Sequence, residues 1–356
     1  MARPDGCWGQ LLILRLLVGA FALLFVAFIG ASYWVSKPQL EGERGAFAPV
    51  IAEFSEALTF ARTAKALILV TGHSGDGVTG IDLTAIYGEA LTSDLSIFLQ
   101  RVTPQEAASS VSGASHYPLD QLISPVAFSK PSVAAGTNFR EHADEVYSDD
   151  PPFLFPKLTQ PGSWNDAVPF LPRLDFEAEV CAFPLSDIRV GDALPTLGWV
   201  LCNDFTDRLT LMKEIDLGEP LGRTGFAAGK GCAGCLPTGY LVVVPQSPEF
   251  YRGVSVALYV NDQLRQQFDL TEMILSIEAI IAKALEDGAM PYQKGSDTVP
   301  LLPGDTIRQS SLILTGTGAG VLFKPLNIWG QQFYLQRGDV VRTEATYLGH
   351  LVNRIE

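Results

Sequence analysis

The longest apolar block comes first. From Leu16 to Val35, twenty positions pass without a charge through Leu, Val, Phe, Ala and Ile, about the length a helix needs to cross a hydrocarbon core. This predicts a single-pass transmembrane helix within residues 1–37. Cleavage as a signal peptide is the rival reading, because Gly30-Ala-Ser32 offers small residues. Tyr33-Trp34 beside them fit an interfacial aromatic anchor and favour retention. Next, Phe47, Val50, Ile51, Phe54 and Leu58 recur at helical spacing among Pro, Gly and Glu, so 38–65 is expected to form a juxtamembrane spacer helix. An apolar run at 66–70, a Gly-rich turn at 72–80 and Gly80-Ile-Asp-Leu83 read as two strands flanking a turn. Residues 101–131 are rich in Ser, Ala and Pro and read as a linker. Beyond 131, short apolar strands alternate with Gly and Pro turns, and Met273, Ile274, Ile277, Ile280 and Ile281 mark one helix within 270–285. The pattern predicts an α+β, mostly β, chain: anchor 1–37, spacer 38–65, small N-terminal domain with linker 66–130, and a large domain 131–356.

Charge inside an apolar stretch is the next signal. Asp175-Phe-Glu-Ala-Glu179 sets Glu177 and Glu179 two positions apart, on one face of a strand. Such like charges raise each other's pKa unless a cation lies between them. An acidic edge strand is the plain alternative. The apolar run from Leu197 ends on Asp204, a third carboxylate at a strand end. Oxygen ligands select hard cations, so Glu177, Glu179 and Asp204 suit Mg²⁺, with Mn²⁺ or Ca²⁺ as substitutes. His142 and Glu145 share a face if their segment is helical. In Gly72-His-Ser-Gly-Asp76 the second glycine of a nucleophile elbow is replaced by Asp76, and a turn between strands explains the rest.

The net charge of −14 over 356 residues argues against nucleic-acid partners, whose phosphates the surface would repel. A small anionic substrate would need local cations, and Lys230 and Arg208 are candidates. Cys232-x-x-Cys235 stands without a second pair or a histidine at finger spacing, so zinc is not expected. A loop of small residues is the plain reading, and a disulfide would require export. Arg3 and Arg15 precede the apolar block, whereas Lys37 and Arg44 after it mix with Glu41 and Glu43. The bias leans to a cytoplasmic N-terminus, with the large domain on the far side.

Asn138-Phe-Arg-Glu-His-Ala-Asp-Glu145, the Glu-x-Glu pair, and the stretches 228–239, 314–321 and 338–349, in this order and at these separations, resemble the fumarylacetoacetate hydrolase family. The resemblance covers roughly residues 66–355. It implies a mixed β-sheet roll, a divalent cation on the three carboxylates, and a homodimer. It also implies His142 as the base, Glu145 orienting it, Lys230 against the substrate's oxygens, and Arg208, Thr317 and Gly316 binding substrate. The implied reaction is hydrolysis of a carbon–carbon bond in an acylpyruvate or related 2-oxo or 1,3-dicarbonyl acid, with the cation stabilising the enolate. Decarboxylation of an oxaloacetate-like acid and isomerisation of an unsaturated dioic acid are alternatives on the same site. A membrane-tethered binding protein without turnover is a third. In its favour, the family commonly continues after Arg208 with an acid and then a glutamine, where this chain has Leu209-Thr210-Leu211. The intact ligands and His142 oppose it.

Overall fold

The computed structural model describes residues 6–38, 40, 50–109 and 113–356. Helix α1 (Gly6–Val35) is unbroken, as expected of Leu, Ala, Val and Phe with no internal proline. Its apolar stretch Ile13–Val35 is mostly exposed, with Ser32 near its end buried. In length and composition it matches a membrane anchor or a signal sequence.

Strands β1 (Ala57–Arg62), β2 (Leu67–Ser74), β3 (Gly77–Asp82), β4 (Ser115–Pro118), β5 (Ser129–Gly136), β6 (Phe153–Lys157), β7 (Ala178–Pro184), β8 (Leu197–Asn203) and β9 (Thr238–Pro245) are followed by β10 (Ser255–Val260), β11 (Gln263–Asp269), β12 (Ser311–Leu314), β13 (Val340–Ala345) and β14 (Gly349–Arg354). Ten of them form one mixed sheet, ordered β4-β3-β2-β1-β9-β8-β7-β12-β5-β6. Its neighbours run antiparallel except β12 beside β5. A four-stranded antiparallel sheet, β11-β10-β13-β14, packs across β7, β8 and β9. This is the mostly β roll expected. Every residue of β7 and β8 is buried, because both faces of the main sheet are covered there. These strands therefore read as continuous apolar runs rather than alternating ones.

Short helices frame the open end: α2 (Arg140–Glu145), α3 (Arg208–Glu214), α4 (Phe226–Gly229) and α5 (Ile277–Glu286). The Asp207 carboxylate caps α3 by accepting from the N–H groups of Leu209 and Thr210. Ser276 caps α5, which buries Ile277, Ile280, Ile281 and Ala284. The helix expected within 270–285 thus begins at 277, and Leu270–Glu272 is a separate single turn.

Among the described residues of 38–65, no helix forms. Among described residues, 50–56 are turn and coil, and Leu58 lies in β1 opposite Val244; Phe47 lies outside the described residues. Of the apolar positions spaced like a helix, Leu58 is taken by β1, whose backbone β2 and β9 satisfy on both sides. The linker carries structure as well: Thr103 and Glu106 form a capping box on the helix Pro104–Ala108, and β4 extends the sheet. The expected boundary at 130/131 falls inside β5, and β1–β4 continue the sheet that holds β5–β9.

Candidate active site

Strands β7 and β8 carry the carboxylates. Glu179 is the second residue of β7, Glu177 stands just before it, and Asp204 follows the end of β8. The corner is closed by backbone: Asp204 N–H donates to the Glu177 carbonyl (2.8 Å), and Glu177 N–H donates to Asn203 Oδ1 (3.1 Å). One oxygen from each carboxylate lies within 4.8 Å of the other two, and all three residues are buried.

Cations meet this triad unevenly. Lys230 Nζ donates to Glu177 Oε2 (2.5 Å) and Asp204 Oδ2 (2.9 Å), and Lys157 Nζ donates to Asp204 Oδ1 (2.5 Å). Arg208 donates to Glu177 Oε1 (2.6 Å) and to Asp175 Oδ2 (2.9 Å). Glu179 makes no ion pair among the described residues; its Oε2 accepts the Gly316 N–H (2.8 Å). Burial, with Asp204 adding to it, pushes the Glu179 carboxyl well above its ordinary range. Burial also pushes Glu177 up, but Lys230 and Arg208 outweigh it and hold that carboxyl well below. Three convergent carboxylate oxygens, one without a counter-charge, fit a hard divalent cation.

Helix α2 brings in the histidine. His142 Nδ1 lies 3.4 Å from Glu145 Oε2. Glu145 also accepts the Gly320 N–H (2.9 Å to Oε1) and pairs with Lys324. Burial pushes the Glu145 carboxyl up, but His142 and Lys324 more than offset it and leave it below the ordinary range. With Nδ1 turned to this carboxylate, Nε2 is the ring nitrogen left to face other groups. His142, Glu177, Arg208, Lys230 and Thr317 line a cavity of about 410 Å³ whose remaining wall is mostly apolar: Leu211, Ile215, Leu221, Phe153 and Phe226. Leu217 at its rim is 88 % exposed.

All nine residues singled out in the sequence lie in this region, with two changes of detail. Gly316 was expected to bind substrate, but its N–H is committed to Glu179; at φ 90°, an added Cβ would crowd Asn138 and the Ala135 carbonyl. Thr317 lines the cavity while its hydroxyl accepts from Gln266 Nε2 (2.9 Å). Sequence reading missed Lys157, whose signal was a single charge inside the apolar run 153–158. It also passed over Asp175, which continues the period-two spacing of Glu177 and Glu179 and accepts the N–H groups of Leu322 and Phe323. The four cysteines of the globular part form two disulfides, Cys181–Cys202 and Cys232–Cys235. The plain-loop reading of the second pair is therefore corrected: Cys232 and Cys235 are bonded to each other, the alternative that had been tied to export.

Residues 132–356 match the family model described as fumarylacetoacetate (FAA) hydrolase C-terminal. The chain belongs to the fumarylacetoacetate hydrolase family. Among its relatives, an uncharacterised protein of Staphylococcus epidermidis is 29% identical over 244 residues, 66% of this chain and 71% of that one. One of Staphylococcus aureus is 27% identical over 247 residues, 66% and 72% of the two chains. Solved structures of similar fold include a probable 2-hydroxyhepta-2,4-diene-1,7-dioate isomerase from Mycobacterium abscessus, with TM-score 0.57, 20% identity, and 84% of this chain and 98% of that one covered. A maleylpyruvate hydrolase from Sphingobium sp. SYK-6 follows, with TM-score 0.53, 21% identity, and 83% and 98% covered. Fumarylacetoacetate hydrolase family enzymes, hydrolases and isomerases among them, are thus this chain's structural neighbours.

Proposed function

We propose that this protein is a divalent-metal-dependent hydrolase that cleaves a carbon–carbon bond in an acylpyruvate whose acyl end is apolar. The observation that carries this reading is the make-up of one cavity, in which His142, Glu177, Arg208 and Lys230 share the wall with Leu211, Ile215, Leu221 and Phe226. A cation held by Glu177, Glu179 and Asp204 would supply Lewis acidity toward the substrate's oxo and carboxylate oxygens. Lys230 and Arg208 hold the pyruvoyl end by charge. Glu145 fixes His142 with Nε2 free to take a proton from water, which attacks the acyl carbonyl. When the tetrahedral adduct collapses, the carbon–carbon bond breaks, its electron pair stays on the pyruvate fragment, and a proton from the imidazolium completes pyruvate. The acyl half leaves as a carboxylic acid.

Isomerisation of an unsaturated dioic acid would use the same proton-transferring histidine, and relatives of this fold bear that name. Against it, a second carboxylate would meet Leu211 and Leu221, with Asp149 and Asp150 also on the lining. A panel of acylpyruvates of increasing chain length, oxaloacetate and a hydroxymuconate-type acid, each assayed with Mg²⁺ on the full-length protein, separates these. Pyruvate release that improves with an apolar acyl chain is expected. Turnover of the dioic acid with no pyruvate from any acylpyruvate would rule the hydrolase out.

For location, the reading is a single-pass anchor with the catalytic domain on the non-cytoplasmic side. The support is the charge bias around α1 together with two disulfides, which persist in oxidising compartments.

A further inference from the structure

The end of α1 is held by the catalytic domain. Ser32, a polar residue within the apolar span, is fully buried: its hydroxyl donates to the Leu326 carbonyl (2.7 Å) and accepts from Trp329 Nε1 (3.1 Å). One turn later, Asn327 Nδ2 donates to Ser36 Oγ (2.9 Å). Aromatic rings continue the contact, with Phe28 and Trp329 at 6.1 Å and Tyr33 and Phe333 at 5.0 Å between centroids.

These contacts fix depth. Leu16 to Phe28 is 13 residues, about 20 Å of helix, which is short of a hydrocarbon core of about 30 Å. With Arg15 bounding the other end, the bilayer must reach past Phe28 toward Val35. Whatever touches Phe28 then lies about 10 Å below the last residue of the span. Trp329 touches it.

The turn around Trp329 is suited to such a place. Leu326, Ile328 and Trp329 are 40%, 38% and 40% exposed, although all three are apolar. Several polar groups among them have partners: Asn327 N–H donates to the Lys324 carbonyl (2.9 Å), Gly330 N–H to the Asn327 carbonyl (3.2 Å), and an Arg173 guanidinium N–H to the Trp329 carbonyl (3.4 Å). Backbone at membrane depth requires such matching, and tryptophan favours the membrane interface. The same segment is continuous with the site through Phe323, which lines the cavity, and Lys324, which pairs with Glu145 of α2.

We propose that residues 325–330 form an apolar finger embedded in the lipid beside α1, so that the anchor seats the catalytic domain on the bilayer surface. This rests on reading α1 as an uncleaved span. A finger buried 5–10 Å into the headgroup and acyl boundary is the usual depth of an interfacial element. The occupant of the exposed face is lipid, because the span that the finger touches leaves it no aqueous surroundings.

The test places the photoreactive residue p-benzoylphenylalanine singly at position 25, 328 or 190 of the full-length protein, reconstituted in phosphatidylcholine vesicles, irradiated, and examined by mass spectrometry. Phe25 reports on the span, Ile328 on the finger, and Val190, which is 72% exposed in a turn after Ile188–Arg189, on the aqueous surface. Lipid adducts at 25 and 328 but not at 190 are expected. Adducts at 25 alone overturn the finger while leaving the anchor standing. Adducts at neither position overturn the anchor and the finger together. Adducts at 190 as well mean general adsorption, and a protein–protein adduct at 328 means that a second copy covers the face; either result overturns the proposal.

Discussion

At the scale of single residues, the three carboxylates are not equivalent. Asp204 is paired twice, with Lys157 and Lys230, whereas Glu179 has an amide and no ion pair among the described residues. Removing the charge of Asp204 takes the carboxylate partner from buried Lys157 and leaves Lys230 with Glu177, a kind of change that costs about 3–5 kcal/mol. Removing the charge of Glu179 relieves a carboxyl that burial already pushes toward its neutral form. In metal-free buffer, Asp204→Asn should therefore lower the melting temperature sharply, and Glu179→Gln should leave it equal or higher. Both should lose the stabilisation that wild type gains on adding Mg²⁺ or Mn²⁺, since a ligand that binds the folded state raises its stability only while its site is intact. Calorimetric scans with and without the cation check this. A Glu179→Gln protein that still gains in full from the cation would remove Glu179 from the ligand set.

At the scale of elements, the strand that carries Glu179 and the strand that leads to Asp204 are bonded to each other. Cys181 lies two residues after Glu179, Cys202 two before Asp204, and they close a loop with a sequence separation of 21. In the chain-entropy model, such a bridge stabilises by about 3 kcal/mol. A Cys181→Ser/Cys202→Ser variant should melt several degrees lower, and its Mg²⁺ affinity should weaken as β7 and β8 lose their clamp. Titration of the cation into both proteins is the measurement; unchanged affinity would make the bridge irrelevant to the site. These elements also mark how far the sequence could be read. The Glu-x-Glu strand, the Asp204 strand end and the His142–Glu145 pair were legible because a charge inside an apolar run, or a spacing of three, needs no partner to be noticed. Lys157 and Asp175 carried the same kind of signal and were passed over; their roles, like the Cys181–Cys202 bond, depend on which strands become neighbours. The C-terminal end of the expected spacer helix failed for the same reason: Leu58 entered β1, and that strand is decided by β2 and β9.

At the scale of the whole molecule, the fold joins distant segments through buried polar groups whose protonation couples to stability. His73, at the end of β2, meets the Tyr240 hydroxyl of β9 through Nε2 (3.0 Å), and Tyr240 meets His350 Nδ1 of β14 (3.2 Å). The other nitrogen of His73, Nδ1, is buried without a hydrogen-bond partner among the described residues. Burial pushes the His73 pKa down from 6.5 to about 4. An unfolded chain therefore takes up a proton below pH 6.5 that the folded chain refuses until about pH 4. The sign follows: stability is unaffected by this group above pH 6.5, falls as pH drops through the window, and levels off below it, with a slope of up to about 1.4 kcal/mol per pH unit. Glu145 and Glu177 act in a different range, because their carboxyls lie below the ordinary value of 4.5 and lose their contribution only as pH falls beneath it. Thermal unfolding of wild type and His73→Gln between pH 7.5 and pH 4.5 isolates the effect, since glutamine can meet the Tyr240 hydroxyl but cannot titrate. The gap between the two melting curves should change steadily in favour of the variant as the pH falls below about 6.5. A gap that stays constant across the window would mean that His73 is protonated within the fold, and that the contact between β2 and β9 tolerates its charge.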